Sequence, residues 1–166
     1  MTGAPETFDE VLAPLLGQAY ALALTMLNDR GSAEDAVQDS AVKAWRNLPR
    51  LRDRSALQPW FLSIVANQSR TARRNRWWSV LKFADLAARR SNHDVGAEDR
   101  VDLDRALDRL GPEDRSALLL HFYMDMTFEQ VAAVLRISMP AARSRIYRSL
   151  AKLRADPAIQ GELTNG

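Results

Sequence analysis

The sequence predicts an all-α protein built as two small helical domains joined by a flexible linker, the C-terminal one carrying a helix-turn-helix. Three observations support this. Apolar residues recur at helical spacing in successive segments, and the periodicity fades into a polar, turn-prone stretch from about Ser79 to Arg100. Between Thr127 and Arg154, two helix signals are separated by a turn too short for any other element. The expected boundaries are residues 1–78 for the first domain, 79–100 for the linker and 101–166 for the second domain.

At 166 residues, 46% hydrophobic and 27% charged, the chain has the composition of an ordinary soluble globular protein able to bury a core. No apolar run is expected to span a membrane, which needs ~18 residues or more, and no secretory signal pattern opens the chain, so a cytoplasmic location is expected. The absence of cysteine excludes disulfides, thiolate metal sites and a thiol nucleophile. The net charge of +2 is uninformative as a sum, but the charge is sorted along the chain. Glu6 to Asp39 holds seven acidic residues against Arg30 alone, and Ser40 to Arg76 holds nine basic residues against Asp53 alone. Twenty arginines against three lysines suit a GC-rich genome and also favour bidentate phosphate and guanine contacts.

Residues from about Phe8 to Leu27 are dense enough in Leu, Val, Phe and Tyr to predict one largely buried helix despite Pro14 and Gly17. Ser32 is expected to cap a second helix through about Leu48, with Val37, Ala41, Ala44, Trp45 and Leu48 as its apolar stripe and Asp35, Gln38 and Asp39 on its other face. By themselves those acids read as favourable helix N-terminus electrostatics. Pro49 to Ser55 breaks the helix and exposes Arg50, Arg52 and Arg54 in a loop. A third helix begins near Pro59 and packs through Trp60, Phe61, Ile64 and Val65. Its second half carries Asn67, Gln68, Arg70, Arg73, Arg74 and Arg76 with no acid, then Trp77 and Trp78. Arginines with amides and indoles suit a nucleic-acid backbone and unpaired bases, while tryptophans equally serve a core; both readings of Trp77 and Trp78 stand.

Apolar positions resume at Val101, Leu103, Leu107 and Leu110; Gly111-Pro112 interrupts, and a helix through Leu118 to Phe122 leads into the final motif. There Thr127 and Gln130 form a capping box, and Phe128, Val131, Ala132 and Leu135 give the apolar stripe. Ser138 caps the next helix, with Pro140 in its first turn. At ~100° per residue, Ala142, Ile146, Ser149, Leu150 and Leu153 fall on one side, and Arg143, Ser144, Tyr147 and Arg148 on the other. Arg136 to Arg154 holds six basic residues and no acidic one, as expected of a helix laid against phosphates.

Catalytic constellations are missing. His93 and His121 belong to no ligand spacing, and there is no Gly-rich phosphate loop and no Gly-x-Ser-x-Gly, so neither an enzyme nor a cofactor is implied.

Three ordered segments together resemble bacterial RNA polymerase sigma factors of the extracytoplasmic function (ECF) group in the sigma-70 family, over about Tyr20 to Arg154. They are AEDAVQDSAVKAW (Ala33 to Trp45), PWFLSIVANQSRTARRNR (Pro59 to Arg76), and LGPEDR followed by TFEQVAAVLRISMPAARSRIYRSLAKLR. The resemblance implies a transcription initiation factor with core RNA polymerase, promoter DNA and an anti-sigma factor as partners. It implies that Asp35, Gln38 and Asp39 contact the polymerase clamp. Arg50, Arg52, Arg54, Asn67, Arg70, Arg73 and Arg74 would serve the minus-ten element, and Arg143, Ser144, Arg145, Tyr147 and Arg148 the minus-thirty-five element. The family's helix-terminal Asn falls on Asn67 and its following Arg on Arg74, and its Lys/Arg-Ser-Arg pattern on Arg143, Ser144 and Arg145. Three positions depart from the family pattern: Thr71 replaces an Asp, Ala141-Ala142 a Thr-Val pair, and Arg136 the turn glycine. The alternatives are a sigma-like decoy for an anti-sigma factor and a helix-turn-helix regulator that works without polymerase.

Overall fold

The computed structural model describes residues 6–82 and 98–164, all helix, turn or loop with no strand among them. The chain divides into two compact units, Met1–Phe83 and Ala84–Gly166. Residues 83–97, most of the expected linker, lie outside the described residues.

The first unit starts at α1 (Phe8–Val11), held by a capping box between Thr7 and Glu10. A 3-10 turn at Ala13–Leu15 separates it from α2 (Leu16–Leu27). The single helix expected over Phe8 to Leu27 is therefore broken at Pro14, whose ring cannot continue the ladder. Among the described residues this stretch is long and apolar enough to cross a membrane, contrary to expectation. Its apolar content is that of a core element, since Leu12, Ala19, Leu22, Ala23, Met26 and Leu27 are buried.

Asn28 closes α2 in the left-handed conformation at φ 52°, a geometry that Asn tolerates. The cap of α3 (Arg30–Asn47) is Asp29, not Ser32: its carboxylate accepts the Ser32 N–H at 2.9 Å. The helix therefore starts three residues earlier than expected, because a carboxylate three residues before Ser32 captures the free donor. After 3-10 turns at Leu48–Arg50 and Arg54–Ala56, α4 runs from Leu57 to Lys82, past the expected end at Trp78 and into the expected linker. Helices α2, α3 and α4 pack on one another around Leu22, Met26, Phe61, Leu62 and Val65. Arg76 ties the far part of α4 to the α2–α3 turn, donating to the Leu27 carbonyl and the Ser32 hydroxyl and lying 3.2 Å from the Asp29 carboxylate.

In the second unit α5 (Glu98–Asp108) is followed by Gly111-Pro112 and α6 (Pro112–Leu118), where proline occupies the first turn harmlessly. Instead of continuing as α-helix to Phe122, the chain widens into a π turn at Leu119–Tyr123. Asp125 then takes φ 55°, and α7 (Phe128–Leu135) begins at the expected Thr127–Gln130 capping box. Arg136 retains the left-handed conformation, φ 55° and ψ 45°, and the N–H groups of Arg136 and Ile137 both close on the Ala132 carbonyl. For a side chain with a Cβ this costs on the order of 1 kcal/mol. Ser138 caps α8 (Met139–Ala155), and α9 (Pro157–Thr164) follows. Val131, Val134, Leu135, Ala142 and Ile146 form the core between α7 and α8, with Leu120 and Met126 also buried. Arg109 chelates the buried Asp156 carboxylate at 2.6 and 2.7 Å, joining the end of α5 to the α8–α9 junction.

Candidate nucleic-acid and polymerase interfaces

On α8 the expected two faces are present. Ala142, Ile146 and Ser149 are buried, whereas Arg143, Ser144, Tyr147 and Arg148 are exposed. The exposed face rests on an aromatic base supplied by α7 and the π turn. The Arg143 guanidinium sits 5.2 Å from the centroid of Phe128, and the Tyr147 ring lies 5.9 Å from the same ring. Phe128 in turn stacks nearly parallel on His121 at 4.7 Å, and His121 Nδ1–H donates to the Met126 carbonyl at 2.7 Å, so one face of the stack is pinned to the backbone. No spacing rule in the sequence links His121 to Phe128; only the turn at Asp125 brings them together.

Arg145 points elsewhere. It lies within 3.6 Å of both Glu113 and Asp114 in the first turn of α6, and Lys152 reaches Asp114 at 3.7 Å. The sequence pattern grouped Arg145 with Arg143 and Ser144, but one step along a helix turns a side chain by ~100°, and here that step carries it to an acidic neighbour. Arg145 and Lys152 fasten α8 to α6.

In the first unit, Arg70, Arg73, Arg74 and Trp77 line an open depression of about 500 Å³, with the Trp77 indole 62% exposed. A second, of about 520 Å³, is lined by Lys43, Asn47, Arg50, Leu51, Arg52, Trp60 and Ile64. The loop that carries Arg50, Arg52 and Arg54 is shaped by Asp53, whose carboxylate accepts the Ser55 hydroxyl and N–H; these bonds hold its pKa below the ordinary carboxylate value. Arg54 is engaged by Glu6, just ahead of α1. Asn67 is half-buried, and Thr71 donates its hydroxyl to the Asn67 carbonyl at 3.1 Å, an internal bond that an aspartate could not make. Trp60, expected from the sequence only as a packing residue, also lines the second depression with Lys43 and Asn47, and neither these two nor Glu6 were among the expected site residues.

Asp35, Gln38 and Asp39 are exposed on α3, with Val42 beside them 51% exposed at the i+3 and i+4 spacing. Because α3 starts at Arg30, all three lie beyond its first turn, where the macrodipole no longer explains acids. Together they form an exposed acidic and amide stripe beside an exposed valine. Among the described residues no three His, Asp or Glu side chains are grouped to hold a metal ion.

Two helical units, one presenting arginines and indoles around open depressions and the other a basic helix-turn-helix face, define a bipartite nucleic-acid-binding protein. Comparison with known proteins gives the particular class. Sigma-70 region 2 matches residues 12–79 and sigma-70 region 4 matches residues 100–153. The chain is 28% identical to the RNA polymerase sigma factor CarQ of Myxococcus xanthus over 97% of this chain and 93% of that one. It is 30% identical to the ECF RNA polymerase sigma factor SigC of Mycobacterium tuberculosis over 78% of this chain and 72% of that one. Its fold matches the sigma factor RpoE of Bartonella quintana, solved in complex with the anti-sigma factor NepR, with a TM-score of 0.74 at 25% identity over 89% of this chain and 94% of that one. The chain belongs to the ECF sigma factors of the sigma-70 family, and is a transcription initiation factor that binds core RNA polymerase and directs it to promoters.

Proposed function

We propose that the two units divide promoter recognition by the state of the DNA they meet. Within the first unit, a domain over residues 1–78 engages the melted minus-ten strand through Arg50, Arg52, Arg54, Asn67, Arg70, Arg73 and Arg74. Within the second unit, a domain over residues 101–166 lays α8 in the major groove of the minus-thirty-five duplex through Arg143, Ser144, Tyr147 and Arg148. The observation that carries this division is the difference in surface shape. Indole-lined depressions suit splayed bases, whereas a convex helix face suits a groove. Arg145, ion-paired within the unit, supports the reading helix from behind. Asp35, Gln38 and Asp39 dock on the polymerase core. The protein contributes binding and positioning, performs no catalysis, and works in the cytoplasm. An anti-sigma factor partner is supported by the sigma factor RpoE, the matching fold, having been solved with one.

The test adds the purified chain to core polymerase with a library of random promoter templates and sequences the transcripts. Initiation confined to templates sharing two spaced elements is the expected outcome. Transcription at no template would defeat the reading.

A further inference from the structure

We infer that Arg136, in the turn between α7 and α8, holds a DNA phosphate beside the base pairs that α8 reads; the inference rests on the groove-reading role of α8 given above. The turn itself has no use for this side chain. Its closure is made by backbone, through the Arg136 and Ile137 N–H groups on the Ala132 carbonyl, and at φ 55° glycine would make the same bonds without strain. A strained residue that adds nothing to the local closure calls for a role outside the fold.

Other basic residues of the unit show what that role is. Arg109, Arg115, Arg145 and Lys152 have carboxylate partners and serve the scaffold. Arg136, like Arg143, Arg148 and Arg154 of α8, is exposed and has no ion pair among the described residues. Arg136 stands two residues before the Ser138 cap, at most about 8 Å along the chain from it. With α8 in the major groove, that turn lies at the groove's rim, where the phosphates are. A guanidinium there binds a phosphodiester and reads no base, so its contribution is the same for every sequence.

The test measures duplex binding by the full chain on core polymerase against salt, using a duplex selected from a random library by the wild type, together with thermal melting of the free chain. Arg136→Gly is expected to melt higher, on the order of 4 °C, while the slope of log affinity against log salt shrinks by about 0.9, one phosphate contact. Between 50 and 200 mM salt the wild type then loses about 3.5-fold more affinity than the variant, the fourfold change raised to that slope. Arg136→Lys should keep the wild-type slope. Arg30→Gln, which removes an exposed charge from the first unit, should also keep it. An unchanged slope in Arg136→Gly with wild-type binding intact overturns this inference alone, as does an equal loss in Arg30→Gln. A wild type that selects no duplex overturns the inference together with the reading beneath it.

Discussion

The two units carry similar numbers of exposed arginines and use them differently. In the second unit Arg143 and Arg148 project from one helix, so their spacing is that of a rigid rod, and an aromatic stack beneath Arg143 and Tyr147 limits the freedom of that face further. In the first unit the cations around the depressions come from α3, the loop after it and the second half of α4, and the walls of the depressions include indoles. A rod of fixed spacing suits a partner of regular geometry, which duplex DNA is. Depressions with aromatic walls suit single bases free to rotate into them. In both units part of the positive charge is tied back by acids, Arg76 by Asp29 and Arg145 by Glu113 and Asp114, so basic content alone overstates the surface offered to DNA.

The largest expected effect tests whether the units fold separately. Phe61 is fully buried among α2, α3 and α4, and Phe61→Ala should cost the first unit about 3 to 5 kcal/mol. Calorimetry should then show one transition shifted down and one unmoved; a common shift would mean the two units share their stability. Next, Arg148→Ala should weaken minus-thirty-five duplex binding by about 1 to 3 kcal/mol. Arg145→Ala should lower the melting temperature of the second unit more than it lowers base discrimination. If Arg145→Ala instead abolishes discrimination and leaves stability alone, the scaffold role of that residue is wrong.

Trp77→Ala should reduce affinity for a single-stranded minus-ten oligonucleotide by about 1 to 3 kcal/mol, with duplex affinity little changed. Equal losses on both substrates would erase the contrast between the units. A smaller effect is expected from Gln38→Ala with Asp39→Ala, whose loss should weaken core polymerase binding by about 0.2 to 1 kcal/mol for the charge removed, with unaltered melting. Undiminished affinity would return Asp39 to ordinary surface chemistry. The smallest effect concerns pH. Asp53 and Glu10 both have pKa values lowered in the fold, Asp53 chiefly by the Ser55 hydroxyl and Glu10 chiefly by the Thr7 N–H. A lowered folded-state pKa contributes stability above the unfolded value that is lost as pH falls through the folded one. Acid should therefore loosen the Asp53 loop and α1; amide exchange at Ser55 and Glu10, followed as pH falls below the ordinary carboxylate range, measures this.

The sequence was most readable where one side chain acts within its own turn. Thr127 with Gln130, and Ser138 at the head of α8, cap the helices that their spacing predicts, and the buried and exposed faces of α8 follow from rotation per residue. It was less readable where a neighbouring residue competes for the same role. Asp29 took the cap expected of Ser32, and Pro14 divided a helix whose apolar content argued for continuity. Arg145 carries the same charge as Arg143 and sits in the same short pattern. What separates them is the position of α6, which no property of α8 reveals.

By itself, then, the sequence determined the helical class, the division of the chain, the faces of its last motif and the family it belongs to, because these depend on periodicity, capping and ordered local patterns. Tertiary structure alone decided which basic side chains remain available and which hold the scaffold, and that Phe128 lies between His121 and the reading face. Those outcomes depend on contacts between residues distant along the helical path, and Coulomb and ring-stacking interactions depend on distance in space, not on separation along the chain.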